Sequence, residues 1–422
     1  MTHINSLPPE LLSHIFHIIF ERMKNSKSLS REKMRPPVFL NLLLVSSHWH
    51  QVAITSPSLW AYIPITRQIE SSERARKLME RSLLRSKECS LDIVIELPAG
   101  SSESLLKEVA EHAHRWRTLS VNCLTAEAVR ILEQIYLPHL FSVSFVRRFE
   151  LESGIKLDAP NLKKVRGPVR ESDALIFEDP LPIFTDLRYS KSSNNTELLV
   201  SHLRRSQNSL KTLRLSFATT PGTRFSILPD GGTQVSADTF GLSFTALTDY
   251  TVQFNSGPWD WSPLHIGHMP LLRHLTVYWY IFEDVAFTST IPFMPQLLSL
   301  QVSLDHGRRF KKVASLLQSA TPNLERLCLD QTFPSVFGND SEWISPLILG
   351  DQDHVAAGWS KLVVLRLCSL GIPQWDDLKL VASCRPAFKQ VSVDSICWKK
   401  SKGYRQDLDA LKQHFEVLVT DD

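Results

Sequence analysis

A short template of the form apolar-x-x-apolar-x-apolar recurs along most of this 422-residue chain, and it restricts the fold more than any other feature. It appears at Trp116-Leu119-Val121, Leu140-Val143-Phe145, Leu162-Val165, Phe184-Leu187-Tyr189 and Leu210-Leu213-Leu215. Further copies begin at Leu247, Leu272, Leu297, Leu324, Leu362 and Phe388. Eight of the ten intervals between starts lie between 22 and 27 residues, and the two longer ones fit loop insertions. A period of this length marks stacked repeats, in which each strand and helix buries its leucines against neighbouring units. The same punctuation introduces several copies: Pro138-His139-Leu140, Pro160-Asn161-Leu162, Met269-Pro270-Leu271-Leu272, Met294-Pro295-Gln296-Leu297 and Thr321-Pro322-Asn323-Leu324. Random apolar clustering would not keep a proline two or three residues ahead of a strand. A further strand is expected over Ser90–Ile95, and helices over Ser104–His114, Ala126–Tyr136, Glu197–Arg205, Lys311–Ser319 and Trp375–Ser383.

The first sixty residues follow another logic. Leu7-Pro8-Pro9-Glu10 opens a helix: Ser6 is a candidate cap, the prolines occupy first-turn positions, and Glu10 sits near the positive end of the dipole. Leu11, Leu12, Ile15, Phe16 and Ile19 then give a broad apolar stripe. Glu21–Pro37 breaks it as an exposed insertion, and a second short helix starts at Val38 with Phe39, Leu42, Leu43 and Val45. Ser46 or Ser47 caps a third helix carrying Trp49, Val52 and Ala53, and Pro57-Ser58-Leu59-Trp60 closes the unit. Three short helices cannot hide this many large apolar groups among themselves, so the excess faces either a partner or the rest of the chain.

These residues resemble the F-box, in the form common in mushroom-forming fungi. Leu7-Pro8-Pro9-Glu10-Leu11-Leu12 with Ile15-Phe16, then Leu42 to Val45-Ser46, Trp49, Val52-Ala53 and Pro57-Ser58-Leu59-Trp60 carry the match over most of residues 4–63. The resemblance implies a helical module that docks on the Skp adaptor of a cullin-RING ubiquitin ligase. Position by position, it makes Leu7, Pro8, Ile15, Leu43, Val45 and Trp49 adaptor-facing or module-core residues. The insertion at Glu21–Pro37 departs from the compact animal pattern.

The repeats resemble the leucine-rich repeats that commonly follow a fungal F-box. The expected fold is therefore α/β, with a three-helix F-box over 1–64, a linker helix over 65–89 and a degenerate leucine-rich-repeat solenoid over 90–422. Such a solenoid has a curved parallel sheet with helices on its convex side. One departure stands out: the asparagine expected three residues after the last apolar strand position occurs once, at Asn255, so the usual amide ladder is missing. Strand side chains alternate between faces, which aims Lys164, Arg166, Arg188, Arg214, Asp249, His274, Tyr278, Arg326 and Arg366 outward on the concave side. Of these, Lys164, Arg166, Arg188, Arg214 and Tyr278 are the candidate substrate-binding residues, with Arg forks suited to carboxylate or phosphate on a target. The alternative is plain solvated strand positions.

Composition narrows the function classes. Forty-seven basic against forty-four acidic residues leave net +3, which gives no general reason to expect a nucleic acid or an anionic membrane as partner. No basic segment followed by a cleavage site opens the chain, and the most apolar windows are far short of the roughly 20 residues that cross a bilayer. A cytoplasmic or nuclear location is expected. Six scattered cysteines form no C-x-x-C pair, and the histidine pairs His14/His17, His48/His50 and His112/His114 lack companion ligands, so no metal or other cofactor is expected. His265-Ile266-Gly267-His268 reproduces a nucleotide-binding signature of class I aminoacyl-tRNA synthetases, but it precedes a repeat strand instead of following the first strand of a nucleotide-binding fold. No phosphate loop, nucleophile elbow or Cys-His pattern is present, so the chain is not expected to be an enzyme. The leading reading is a substrate receptor, attached to the Skp adaptor and through it to the cullin-RING ligase, that presents an unidentified target protein. The rivals are a repeat scaffold outside any ligase and an enzyme with an unrecognised site.

Overall fold

The prolines that introduce several template copies sit in tight turns that aim the chain into a strand. Leu162 donates its amide to the Ala159 carbonyl, Leu272 to Met269, Leu297 to Met294 and Leu324 to Thr321, each three residues back. Pro160, Pro270, Pro295 and Pro322 therefore occupy the second position of a four-residue turn, where a φ fixed near −65° is already correct. The same turn forms without proline at Phe244–Leu247 and Trp359–Leu362. Two residues after the turn's last position the strand begins in every case.

The structure, a computed structural model, describes residues 7–25, 42–98, 101, 103–145, 155–166, 175–176, 183–191, 196–217, 242–254, 264, 266–279, 291–304, 316–331, 359–368, 390–394, 412 and 416–420. The chain divides into two compact units, one of Met1–Pro168 with Asp173–Pro182, the other of Val169–Ser172 with Ile183–Asp422.

The first unit opens with helices α1 (Pro9–Asn25) and α2 (Ser47–Thr55) and a 3-10 turn at Pro57–Trp60. Ser46 caps α2, its hydroxyl accepting from the Trp49 amide at 3.2 Å. Helix α1 continues four residues past Glu21, beyond the end expected for it. The expected start of the second short helix at Val38 lies outside the described residues, and residues 43–45 form a turn closed by the Val45 amide on Leu42. Strands β1 (Tyr62–Thr66), β2 (Leu91–Glu96), β3 (Trp116–Cys123), β4 (Ser142–Phe145) and β6 (Lys164–Arg166) then pair in that order, all parallel. A separate parallel pair joins β5 (Ile155–Lys156) to β7 (Leu175–Ile176).

Strand β1 was not foreseen, and the segment expected as one linker helix is the crossover that brings the chain from β1 to β2. It breaks into α3 (Arg67–Ser71) and α4 (Glu73–Arg85), because the Ser72 hydroxyl caps the Ala75 amide and starts a new helix. Helix α5 (Ser104–Ala110) also stops short of the expected His114. The reason is Arg115, whose buried guanidinium donates to the Cys89 carbonyl at 3.1 Å and the Ser86 hydroxyl at 2.6 Å, bending the chain into a 3-10 turn. Helix α6 (Ala126–Glu133) is capped by Thr125 and turns Ala128, Val129, Ile131 and Leu132 into the core.

The second unit carries β8 (Asp186–Lys191), α7 (Thr196–Ser206), β9 (Thr212–Phe217), β10 (Asp249–Phe254), β11 (His274–Trp279), β12 (Ser299–Leu304), β13 (Arg326–Gln331), β14 (Val364–Cys368), β15 (Gln390–Asp394) and β16 (Glu416–Thr420). Each strand pairs in parallel with the next. Register sets Leu187, Leu213, Tyr250, Leu275, Leu300, Leu327 and Leu365 in one buried row, and Leu215, Val252, Val277, Val302 and Leu329 in another. Stacking closes these rows, each fully buried aliphatic side chain contributing roughly 1.5–3 kcal/mol. Just ahead of the strands, the Thr248 carbonyl takes both the Arg273 and His274 amides, Arg273 takes those of Leu298 and Ser299, and Leu298 those of Glu325 and Arg326. This forked ladder locks the repeats at a constant stagger. The α/β repeat architecture expected from the template is the one found. The expected helices at 375–383 and 311–315 lie outside the described residues, while residues 316–320 are helical.

Candidate interaction surfaces

The amino-terminal helices bury one stripe and leave another open. Leu12 and Phe16 join Trp49, Val52, Ala53, Leu59 and Trp60 in one core, with Leu7, Leu42, Leu43, Ile54, Tyr62 and Leu78 packed around it. The Phe16 and Trp49 rings meet at 5.1 Å, and the Trp60 indole donates to the Ala53 carbonyl at 2.9 Å. Leu11, Ile15 and Ile18 lie roughly a quarter-turn away round α1. Leu11 and Ile18 are exposed at 53% and 41%, Ile15 is half-buried, and in the turn before α2 Leu44 and Val45 are exposed at 84% and 51%.

The residues named from the sequence separate accordingly. Pro8 and Val45 lie on the surface, Leu7, Ile15 and Leu43 are half-buried, and Trp49, only 7% exposed, occupies the core position that its motif allowed. Leu11, Ile18 and Leu44 were not singled out as contact residues. The signal for the first two was present, since Leu11, Ile15 and Ile18 repeat at i, i+4 and i+7.

The exposed strand face is polar and of mixed charge. In the first unit Lys164 and Arg166 flank Val165 on β6, in register with Ser142 and Ser144 of β4. The Lys164 ammonium stands 5.4 Å above the Phe141 ring. On the same face the Thr118 hydroxyl donates to Asp92 at 2.8 Å, and burial, then the Asp92 charge, raises the pKa of the Tyr62 phenol. In the second unit Arg188 and Arg214 are direct register partners, and Tyr278 stands one row further along, opposite Gln253 and Ser303. Asp186 and Asp249 share that face, two positions before Arg188 and Thr251, so the expected basic stretch is interleaved with acid.

The histidine pairs have structural explanations or none. His48 Nε2 donates to the Leu7 carbonyl at 3.1 Å and His50 Nδ1 to the Leu43 carbonyl at 3.2 Å, while His14, His17 and His114 are exposed. Among the described residues no group of three His, Cys, Asp or Glu side chains converges as a metal site would require. In the synthetase-like tetrapeptide, Ile266 is buried, His268 is exposed, and Gly267 lies where a Cβ would come within 2.6 Å of the Leu242 carbonyl oxygen. His265 lies outside the described residues. No described helix is long and apolar enough to cross a membrane.

Comparison with known proteins gives a family match at the amino-terminal end and distant structural likenesses. The crystal structure of the leucine-rich repeat-containing protein LegL7 from Legionella pneumophila aligns at 13% identity and TM-score 0.35, over 78% of this chain and 89% of that one. The search of curated proteins returns no match. A family model described as F-box-like matches residues 4–65, the span that holds α1, α2, the 3-10 turn and most of β1, and this chain therefore begins with an F-box-like domain.

Proposed function

We propose that the chain is a substrate receptor of a Skp-cullin-F-box ubiquitin ligase: the F-box-like domain docks on the Skp adaptor, and the strand array holds a target protein for modification by the other subunits. The observation that supports this reading is the apolar surface left open on the F-box-like domain, Leu11, Ile15 and Ile18 along α1 with Leu44 and Val45 beside α2. A domain this small fills its core with Leu12, Phe16 and the two tryptophans and still exposes a second apolar stripe, which marks a surface that meets another protein. The chain contributes position: it holds a target beside the transferring subunits and makes transfer effectively unimolecular.

Target contact is assigned to the exposed strand face, through Lys164 and Arg166 in the first unit and Arg188, Arg214 and Tyr278 in the second. Paired Arg forks suit a carboxylate or phosphate on the target. The test uses the full chain and a purified Skp adaptor. Leu11→Asp and Leu44→Asp should abolish adaptor capture at unchanged thermal stability, whereas Arg188→Glu with Arg214→Glu should leave adaptor capture intact and lose the target. Undiminished adaptor capture by both leucine variants overturns the ligase reading and leaves a repeat scaffold.

A further inference from the structure

The first unit holds a terminal strand that is better buried than a terminal strand should be. Among the described residues of that unit β1 pairs with β2 alone, so one of its edges has no strand beside it. In a stacked array such an end leaves its inward side chains open and its backbone ready for another chain, which is why repeat proteins carry dedicated terminal caps. Yet Ile63 and Ile65, the inward residues of β1, are both 0% exposed.

The F-box-like domain leads directly into that strand. Its 3-10 turn runs through Ala61 straight into β1, and Leu59 and Trp60 in that turn are each 1% exposed. The Ala61 carbonyl already accepts the Asp92 amide of β2 at 2.8 Å, so the sheet ladder starts inside the domain boundary. Helix α4 packs on both the 3-10 turn and β1. From it Leu78 reaches the domain's core, Met79 and Leu83 are buried, and the Arg85 guanidinium lies 4.4 Å over the Trp60 ring. Tyr62, the first residue of β1, packs on the same core. Pro64 in mid-strand removes one backbone donor from β1, as edge strands commonly do to discourage pairing.

We infer that the F-box-like domain has a second role: it is the amino-terminal cap of the repeat array, folding in one cooperative unit with β1, α4 and β2. This role depends on no partner and stands whether or not the adaptor is bound. It also means that removing the domain to isolate the array opens the end of the sheet.

Native-state hydrogen exchange on the full chain tests this. In low urea, amides of α2 and those of β1 and β2 should follow one opening isotherm, while β11 and β12 follow their own. Phe16→Ala, a cavity in the domain's core on the helix farthest in sequence from β2, should speed exchange in Tyr62–Thr66 and Leu91–Glu96 on the order of a hundredfold. Leu44→Asp, on the exposed surface, should leave those rates unchanged. If Phe16→Ala does not fold, the urea isotherms of the unaltered chain decide alone. Loss of protection in Ser47–Thr55 with β1 and β2 as slow as before, or two separate isotherms, overturns the cap.

Discussion

Asn323 donates its side-chain amide to the Pro295 carbonyl at 2.8 Å, from the third position of one repeat's turn to the second position of the turn before it. Asn161 makes the same bond to Pro138 at 2.7 Å. These bonds staple consecutive repeats ahead of the strands, at the opposite end from the amide ladder, of whose asparagines this sequence keeps only Asn255. Asn323 is half-buried and Asn161 exposed. Asn323→Ala should therefore cost about 1 kcal/mol in urea unfolding, and Asn161→Ala distinctly less, because water replaces its partner. Equal losses at both positions would refute the inter-repeat role of Asn323.

Those two bonds also show what could be read in advance. The template located strands β3, β4, β6 and β8 to β15, because parallel stacking demands the same apolar positions in every copy, and the prolines located the turns. Strand β1 escaped because Pro64 interrupts it and because it follows the Pro-Ser-Leu-Trp motif without a turn. Strand β16 escaped because no template copy introduces it. On α1 the hydrophobic stripe was legible, but its division was not. Leu11, Leu12, Ile15, Phe16, Ile18 and Ile19 cover nearly half the helix, and only packing decides which part faces Trp49 and which stays open.

Gly267 should be irreplaceable for steric reasons. A Cβ there meets the Leu242 carbonyl oxygen at 2.6 Å and the Leu242 Cβ at 2.9 Å. The backbone cannot retreat, since the His268 amide donates to Leu242 at 2.9 Å and the Phe244 amide to His268 at 2.8 Å. Gly267→Ala should cost about 2 kcal/mol or more in thermal unfolding. His268→Ala, removing an exposed imidazole, should stay within about 0.5 kcal/mol of the unaltered chain. Comparable losses in the two variants would show that the imidazole does more than solvate.

His202 should make stability fall with acid. Its imidazole, 5% exposed and edge-on to Phe184 at 5.5 Å, has its pKa lowered from 6.5 to about 4 by burial. Below pH 6.5 the unfolded chain takes up a proton that the folded chain refuses. The contribution is intact above pH 6.5 and is lost progressively down to about pH 4. At about 1.4 kcal/mol per pH unit this amounts to roughly 3 kcal/mol at most. His202→Gln should flatten the urea midpoint against pH across that window, and an unchanged slope would refute the assignment.

Adaptor binding should stabilise more than the surface it covers. If the domain that carries Leu11 and Leu44 folds as one unit with β1 and β2, a ligand that binds only its folded form must be released before those strands open. Adaptor at a hundred times its dissociation constant then adds about 2.7 kcal/mol to that opening. Exchange at Tyr62–Thr66 and Leu91–Glu96 should slow by about a hundredfold, although the proposed adaptor surface at Leu11 and Leu44 lies outside those strands, while amides of β11 and β12 keep their rates. Leu44→Asp should abolish the slowing without altering exchange in free protein. Protection confined to α1 and α2 would show that the adaptor site and the array open independently, whatever the adaptor's affinity.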